Sequence, residues 1–78
     1  MDIKIIIDKD EIHYVNLNSI KLKGERLLLK GIDCSLIIAK NNMIFEEKNA
    51  IPMIVDYIEI GGISYSKEDY EKISKILI

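Results

Sequence analysis

Apolar and polar residues alternate with a period of two along most of this chain, which is the pattern of β-strands that bury one face. Residues 3–7 carry isoleucine at every second position, and the acidic residues 8–11 that follow are typical of a turn. Residues 12–17 form a second strand-like stretch rich in β-forming residues. The pattern therefore predicts an opening β-hairpin.

The clearest predicted hairpin covers residues 20–30. Gly24 and Glu25 are expected to form a two-residue turn of type II′, because that turn has glycine in its first position. Opposed side chains of an antiparallel pair point to the same face. One face is then aliphatic, with Ile20, Leu22, Leu27 and Leu29. The other face carries four cations and one leucine, namely Lys21, Lys23, Arg26, Leu28 and Lys30. A slip of one residue would mix the two faces, so the sequence predicts this register.

A second hairpin is expected in residues 35–47. Asn41 and Asn42 are predicted to form its type I′ turn, because asparagine tolerates the left-handed conformation. One face then holds Leu36, Ile38, Met43 and Phe45, and the opposite face holds Ile37, Ala39 and Ile44. Because both faces are largely apolar, the hairpin is expected either between two layers or at an interface. Ile37, Ala39 and Ile44 are the predicted interface residues.

The last third of the chain predicts a strand over residues 53–60, a turn at Gly61 and Gly62, a short return strand and a helix. Ser66 is a suitable N-cap, and Asp69 stands where it can bond back to the cap. The expected apolar stripe of the helix is Tyr70, Ile73, Ile76 and Leu77, and its expected i,i+4 ion pairs are Glu68–Lys72 and Glu71–Lys75. So short a helix is not stable alone, so it is expected to pack on the sheet.

These elements predict a small α+β fold in a single domain over residues 1–78, strand-rich in residues 1–66 and helical over about residues 67–77. Six to eight short antiparallel strands would form a strongly bent sheet or partial barrel, closed by one C-terminal amphipathic helix. Hydrophobic residues make up 49% of the sequence, and most are isoleucine and leucine. So high a share in so small a domain predicts aliphatic surface outside the monomer's core, and hence self-association or a partner surface. The alternative is a monomer with a generous core.

The candidate chemistry is sparse. The acidic turn at residues 8–11 does not form a calcium loop, because His13 occupies the position where an EF-hand has glycine. No motif ties the single histidine to a nucleophile, and the single cysteine, Cys34, is expected to be structural. One cysteine and one histidine provide neither an intrachain disulfide nor a zinc site. The sequence predicts no catalytic residue, metal site or cofactor, and the protein is not expected to be an enzyme.

The basic hairpin face is the main polar feature, and it suits either a phosphate-bearing ligand or an acidic protein surface. Solvated lysines that prevent strand aggregation are the alternative interpretation. The net charge of −2 and the pI near 5.3 argue against a general nucleic-acid binder. The predicted ligand- or partner-binding residues are Lys21, Lys23, Arg26, Leu28 and Lys30.

The sequence thus predicts a non-enzymatic interaction module that associates with itself and binds another macromolecule, as an accessory or inhibitor protein. The alternatives are an oligomeric binder of a nucleotide or nucleic-acid phosphate, and a structural subunit of a larger assembly. One arginine among eleven basic residues, with abundant isoleucine and asparagine, indicates an AT-rich microbial or viral (phage) genome. No signal peptide or membrane-length apolar run is evident, and one cysteine suits a reducing compartment, so a cytoplasmic location without membrane partners is predicted.

Overall fold

A computed structural model describes residues 1–78 of the chain. The strands are β1 (Asp2–Asp8), β2 (Glu11–Asn16), β3 (Ser19–Lys23), β4 (Arg26–Lys30), β5 (Cys34–Ile38), β6 (Met43–Glu47), β7 (Met53–Ile54), β8 (Tyr57–Ile60) and β9 (Ile63–Tyr65). A 3₁₀ turn (Lys67–Asp69) then leads into α1 (Tyr70–Leu77). The predicted α+β fold class is confirmed, with nine strands rather than six to eight.

The strands form two antiparallel sheets that are not closed into a barrel. The four-stranded sheet has the order β2-β1-β8-β9, and the five-stranded sheet has the order β3-β4-β5-β6-β7. The chain passes from the first sheet to the second after β2 and returns between β7 and β8. Every strand pair except β1–β8 therefore joins neighbours in sequence, as in a β-meander.

One hydrophobic core joins both sheets and the helix. Its fourteen buried residues are Ile3, Ile5, Leu17, Leu27, Leu29, Leu36, Ile38, Met43, Phe45, Val55, Ile58, Tyr65, Tyr70 and Ile73. Strands β1, β4, β5 and β6 each contribute two alternate residues, as the period-two pattern predicts, whereas β2, β3 and β7 contribute none. The inner face of each sheet therefore points into the core, and the outer face of each sheet does not contribute to it.

Turn chemistry sets the register of two hairpins. In β3–β4 the pairs run from Ser19 with Lys30 to Lys23 with Arg26, which confirms the predicted register. Gly24 has φ +65° and Glu25 does not have positive φ, as a type II′ turn requires. In β8–β9 both turn glycines have positive φ, as in a type I′ turn.

The predicted type I′ turn at Asn41 and Asn42 is wrong. Neither asparagine has positive φ, and Ile38 pairs with Met43, so the connection contains four residues instead of two. A longer loop avoids the left-handed conformation that two consecutive non-glycine residues would need. The register differs from the predicted one by two residues, which leaves every side chain on its predicted face.

The predicted strand over residues 53–60 is two strands in different sheets. β7 pairs with β6, whereas β8 pairs with β1. Between them, the Val55 N–H donates to the carbonyl of Met43 and the Asp56 N–H donates to the carbonyl of Ile6, at 2.8 and 2.9 Å. The chain thus changes sheets within two residues while its backbone groups stay paired.

The helix begins at the predicted place. The Ser66 N–H donates to the Asp69 carboxylate at 3.0 Å, and the Ser66 hydroxyl donates to Glu68 at 2.6 Å and lowers the pKa of that exposed carboxyl. Tyr70 and Ile73 are buried, but Ile76 of the predicted stripe is 50% exposed. Neither predicted i,i+4 ion pair forms; the ion pairs present are Glu71 with Lys40 at 3.6 Å and Lys72 with Asp69 at 3.9 Å. No helix of this fold has the length and apolar character needed to cross a membrane.

Candidate interaction surface

The outer face of the five-stranded sheet carries a continuous apolar row. Strand pairing places Leu28 opposite Ile37, Ile37 opposite Ile44, and Ile44 opposite Ile54. Each residue of this set, which we call the outer row, comes from a different strand. With strands about 4.8 Å apart, the row is about 15 Å long.

The four side chains of the outer row differ in exposure. Leu28, Ile37 and Ile44 are half-buried, and Ile54 is 60% exposed. The helix packs into the core through Tyr70 and Ile73, together with the inner-face residues of both sheets. A sheet face with this much aliphatic surface is unusual for a face in contact with water, which normally carries polar side chains.

The structure places the three predicted interface residues on this same face. Ile37 and Ile44 are directly opposed at the centre of the outer row. Ala39 follows β5 on the same side and is half-buried where the β5–β6 loop begins. Burial of their strand neighbours in the core confirms that the two faces of this hairpin are separate.

Four cations lie at one end of the outer row, on β3 and β4. This cation patch consists of Lys21, Lys23, Arg26 and Lys30, all exposed, and none lies within 4.0 Å of a carboxylate. Lys21 directly faces Leu28, the first residue of the row. The predicted binding residues and the predicted interface residues therefore form one surface.

The cation patch has an unfavourable internal arrangement. Lys23 and Arg26 are directly opposed across the β3–β4 pair, and like charges in this position destabilise a strand pair by up to about 1 kcal/mol. A shallow groove passes between the side chains, lined by Ser19, Lys21, Lys23, Leu28 and Lys30. An anionic group in the groove would lie beside the ammonium groups of Lys21, Lys23 and Lys30.

The sequence pattern did not identify three residues of this surface. Ser19 lines the groove, Ile54 extends the outer row, and Glu46 lies on the same face as a half-buried carboxylate. Ile54 was missed because its pairing with Ile44 depends on the strand break after β7. Glu46 alternates with the buried Phe45, so the period of two does contain the signal that places it outside.

His13 contacts residues of both sheets. Its ring packs on Phe45 of the five-stranded sheet, with the ring centroids 5.1 Å apart. Its nitrogens lie 2.8 Å from Glu11 and 3.6 Å from Glu47. Because these partners come from both sheets, the side chain acts as a polar link at the margin of the core.

Cys34 pairs with Glu47 across β5 and β6. Partial burial raises the pKa of the Cys34 thiol, and the nearby carboxylate of Glu47 raises it further. A raised pKa disfavours the thiolate, which is the nucleophilic form. No group of three or more His, Cys, Asp or Glu side chains is arranged to hold a metal ion.

The outer face of the four-stranded sheet differs from this surface. It exposes Tyr14, at 77%, together with Ile12 and Tyr57. Ile6 lies beneath them and is only 3% exposed, because Ile12 and Tyr57 are opposed to it on the two neighbouring strands. Lys4 on this face pairs with Glu59 at 3.6 Å, so its charge is compensated.

Comparisons of this chain with protein-family models, with curated proteins and with solved structures found no match.

Proposed function

We propose that the protein is a non-enzymatic interaction module that self-associates through the outer row and binds a second, acidic macromolecule at the cation patch. It would act in the cytoplasm as an accessory or inhibitor protein of a microbe or a phage. The observation that carries the proposal is the outer row itself: four aliphatic side chains in register across four strands, three half-buried and one 60% exposed, bordered by four cations without carboxylate partners.

The outer row suits a second copy of the same face. Burying the exposed part of these side chains stabilises a complex by about 25 cal/mol per Å² of apolar surface, so the rows of two copies together contribute a few kcal/mol. Two sheets packed face to face leave about 10 Å between their backbones, which such side chains fill.

The cation patch favours an acidic protein over a nucleic acid. Single-stranded nucleic acid is usually held by aromatic side chains that stack on the bases. The outer row is purely aliphatic, and the tyrosines Tyr14 and Tyr57 lie on the other sheet. Cations beside aliphatic side chains match a protein surface that combines carboxylates with apolar residues.

Sedimentation of the purified protein at micromolar concentration tests the self-association. We expect a dimer or larger species for the unaltered chain. Ile37→Lys and Ile44→Lys should each convert it to the monomer, because a desolvated ammonium group at the centre of the interface costs several kcal/mol. Ile12→Lys is the matched control, since it places the same charge on the outer face of the other sheet.

A strict monomer for the unaltered chain at these concentrations would contradict the self-association. Dissociation by Ile12→Lys, with Ile37→Lys still associated, would assign the contact to the four-stranded sheet instead. Circular dichroism of each variant separates loss of association from loss of folding.

A phosphate-bearing ligand is the second candidate, favoured by the groove lined by Lys21, Lys23 and Lys30. Binding of a nucleotide or a short oligonucleotide should then weaken steeply with salt, because phosphate contacts release counterions. Lys21→Glu combined with Arg26→Glu should abolish it. Affinity that is insensitive to salt and survives both reversals would exclude this candidate.

A further inference from the structure

The β3 strand is an edge of the five-stranded sheet, with β4 as its only neighbour. Lys23 and Arg26 flank the two-residue turn and therefore exchange backbone hydrogen bonds, as do alternate pairs beyond them, such as Lys21 with Leu28. The N–H and C=O groups of the intervening residues, Ile20 and Leu22, thus point away from β4. This edge offers two residues with open donors and acceptors to another strand.

Side chains of two kinds flank the open edge. On the outer face stand Lys21 and Lys23, which lack carboxylate partners. On the inner-face side stands Leu22, which is 52% exposed although its pairing partner Leu27 is fully buried. The core therefore ends at β3 with an uncovered apolar side chain, and the sheet could continue by one strand.

We infer that β3 accepts an extended segment of a partner protein as an additional strand, and that this segment alternates acidic and apolar residues. Its backbone would pair with Ile20 and Leu22. Its acidic side chains would lie beside Lys21 and Lys23 on the outer face, and its apolar side chains would cover Leu22 on the inner side. This inference rests on the part of the proposed function that assigns an acidic partner to the cation patch.

The lysines make the edge selective. Lysine on an edge strand opposes pairing of β3 with another β3, because like charges would then be adjacent. The same residues attract a strand with carboxylates on the corresponding face. Lys21 and Lys23 therefore both disfavour pairing of β3 with a second β3 and favour pairing with an acidic strand.

Titration with synthetic peptides, followed by amide NMR of the full chain, tests the inference. The first peptide alternates four glutamates with three valines. The second has the same composition with the glutamates grouped before the valines, and the third is the alternating peptide with N-methyl groups on alternate residues, prepared in both possible frames. A single-stranded oligonucleotide serves as an anion without a peptide backbone.

We expect the alternating peptide to bind at least about tenfold more tightly than the other probes. It should slow hydrogen exchange at the amides of Ile20 and Leu22 and leave the β2 edge unchanged. Lys21→Glu with Lys23→Glu should weaken binding about tenfold. Leu22→Pro should abolish it without removing a β3–β4 hydrogen bond, because that N–H points outward; if this variant fails to fold, the N-methylated peptides test the same contact.

Equal binding of the alternating and grouped peptides would overturn strand addition while leaving an acidic partner at the cation patch in place. Binding of the oligonucleotide alone would overturn both and support the phosphate ligand. No binding of any probe would overturn the strand addition and the acidic partner, whereas self-association would still be decided separately by sedimentation of the Ile37→Lys variant.

Discussion

Cys34, which is partly buried against the core, shows how its surroundings control the chemistry of a single side chain. Because partial burial and the Glu47 carboxylate raise the pKa of its thiol, the thiolate fraction at a given pH is lower than in an unfolded chain. We expect iodoacetamide to alkylate Cys34 of the native protein more slowly at pH 8 than that of the urea-unfolded protein. Mass spectrometry over time measures both rates.

Changing Glu47 should reverse part of this effect. Glu47→Gln removes a negative charge that opposes thiol ionisation, so the pKa of Cys34 should fall and the rate–pH profile should move to lower pH. Glu46→Gln is the control, because Glu46 is the adjacent residue but lies on the outer face of β6. Equal profiles for the two variants would contradict the assigned role of Glu47.

At the scale of single elements, successive residues of β4 point to opposite faces of the five-stranded sheet. Leu29 is fully buried, whereas its neighbour Leu28 lies half-buried in the outer row. Leu29→Ala should destabilise the monomer by about 2–5 kcal/mol, because it leaves a cavity. Leu28→Ala should cost roughly 1 kcal/mol or less.

Urea unfolding of both variants measures the difference, at a protein concentration low enough to populate the monomer. Similar losses for Leu28→Ala and Leu29→Ala would mean that something covers the outer row. That result at low concentration would contradict its assignment as a free surface.

The sequence predicts an element correctly where the local pattern specifies it, and fails where tertiary packing decides. The β3–β4 register was confirmed because a glycine turn and two chemically distinct faces both specify it. The prediction of one strand over residues 53–60 is wrong because a change of sheet has no signature in the local sequence. Val55 is buried in the core just as a strand residue would be. The asparagine turn failed because asparagine only permits positive φ and does not require it.

The sequence predicts which residues lie on the candidate surface, but it does not predict that the faces of the two hairpins are continuous. Alternation within each hairpin placed Lys21 and Ile37 on outward faces, and the structure agrees. That these faces are continuous follows from the pairing of β4 with β5, which places Leu28 beside Ile37. Strand order within a sheet is a property of tertiary packing, so alternation along one strand carries no information about it.

At the scale of the whole molecule, two sheets and a helix share one core, and this predicts cooperative unfolding. The buried cluster includes Tyr65 from the four-stranded sheet, Leu36 from the five-stranded sheet and Ile73 from the helix. Neither sheet nor the helix can unfold alone without exposing the buried face of the others to water. We expect unfolding in urea to be a single transition, with coincident curves from far-ultraviolet circular dichroism and tyrosine fluorescence.

Substitutions in α1 test this cooperativity most directly. Ile73→Ala should lower the free energy of unfolding by about 2–5 kcal/mol, and both probes should shift together because the helix completes the core of the sheets. Ile76→Ala, three residues along the same helix and 50% exposed, should cost under about 1 kcal/mol. Three of the four tyrosines lie in the sheets. Separate transitions in the Ile73→Ala variant, with the helical circular dichroism signal lost before the tyrosine fluorescence changes, would show that the helix is an independent unit. Coincident shifts would instead mean that the helix supports the sheet carrying the outer row, so that even a distant change in α1 lowers the population able to bind.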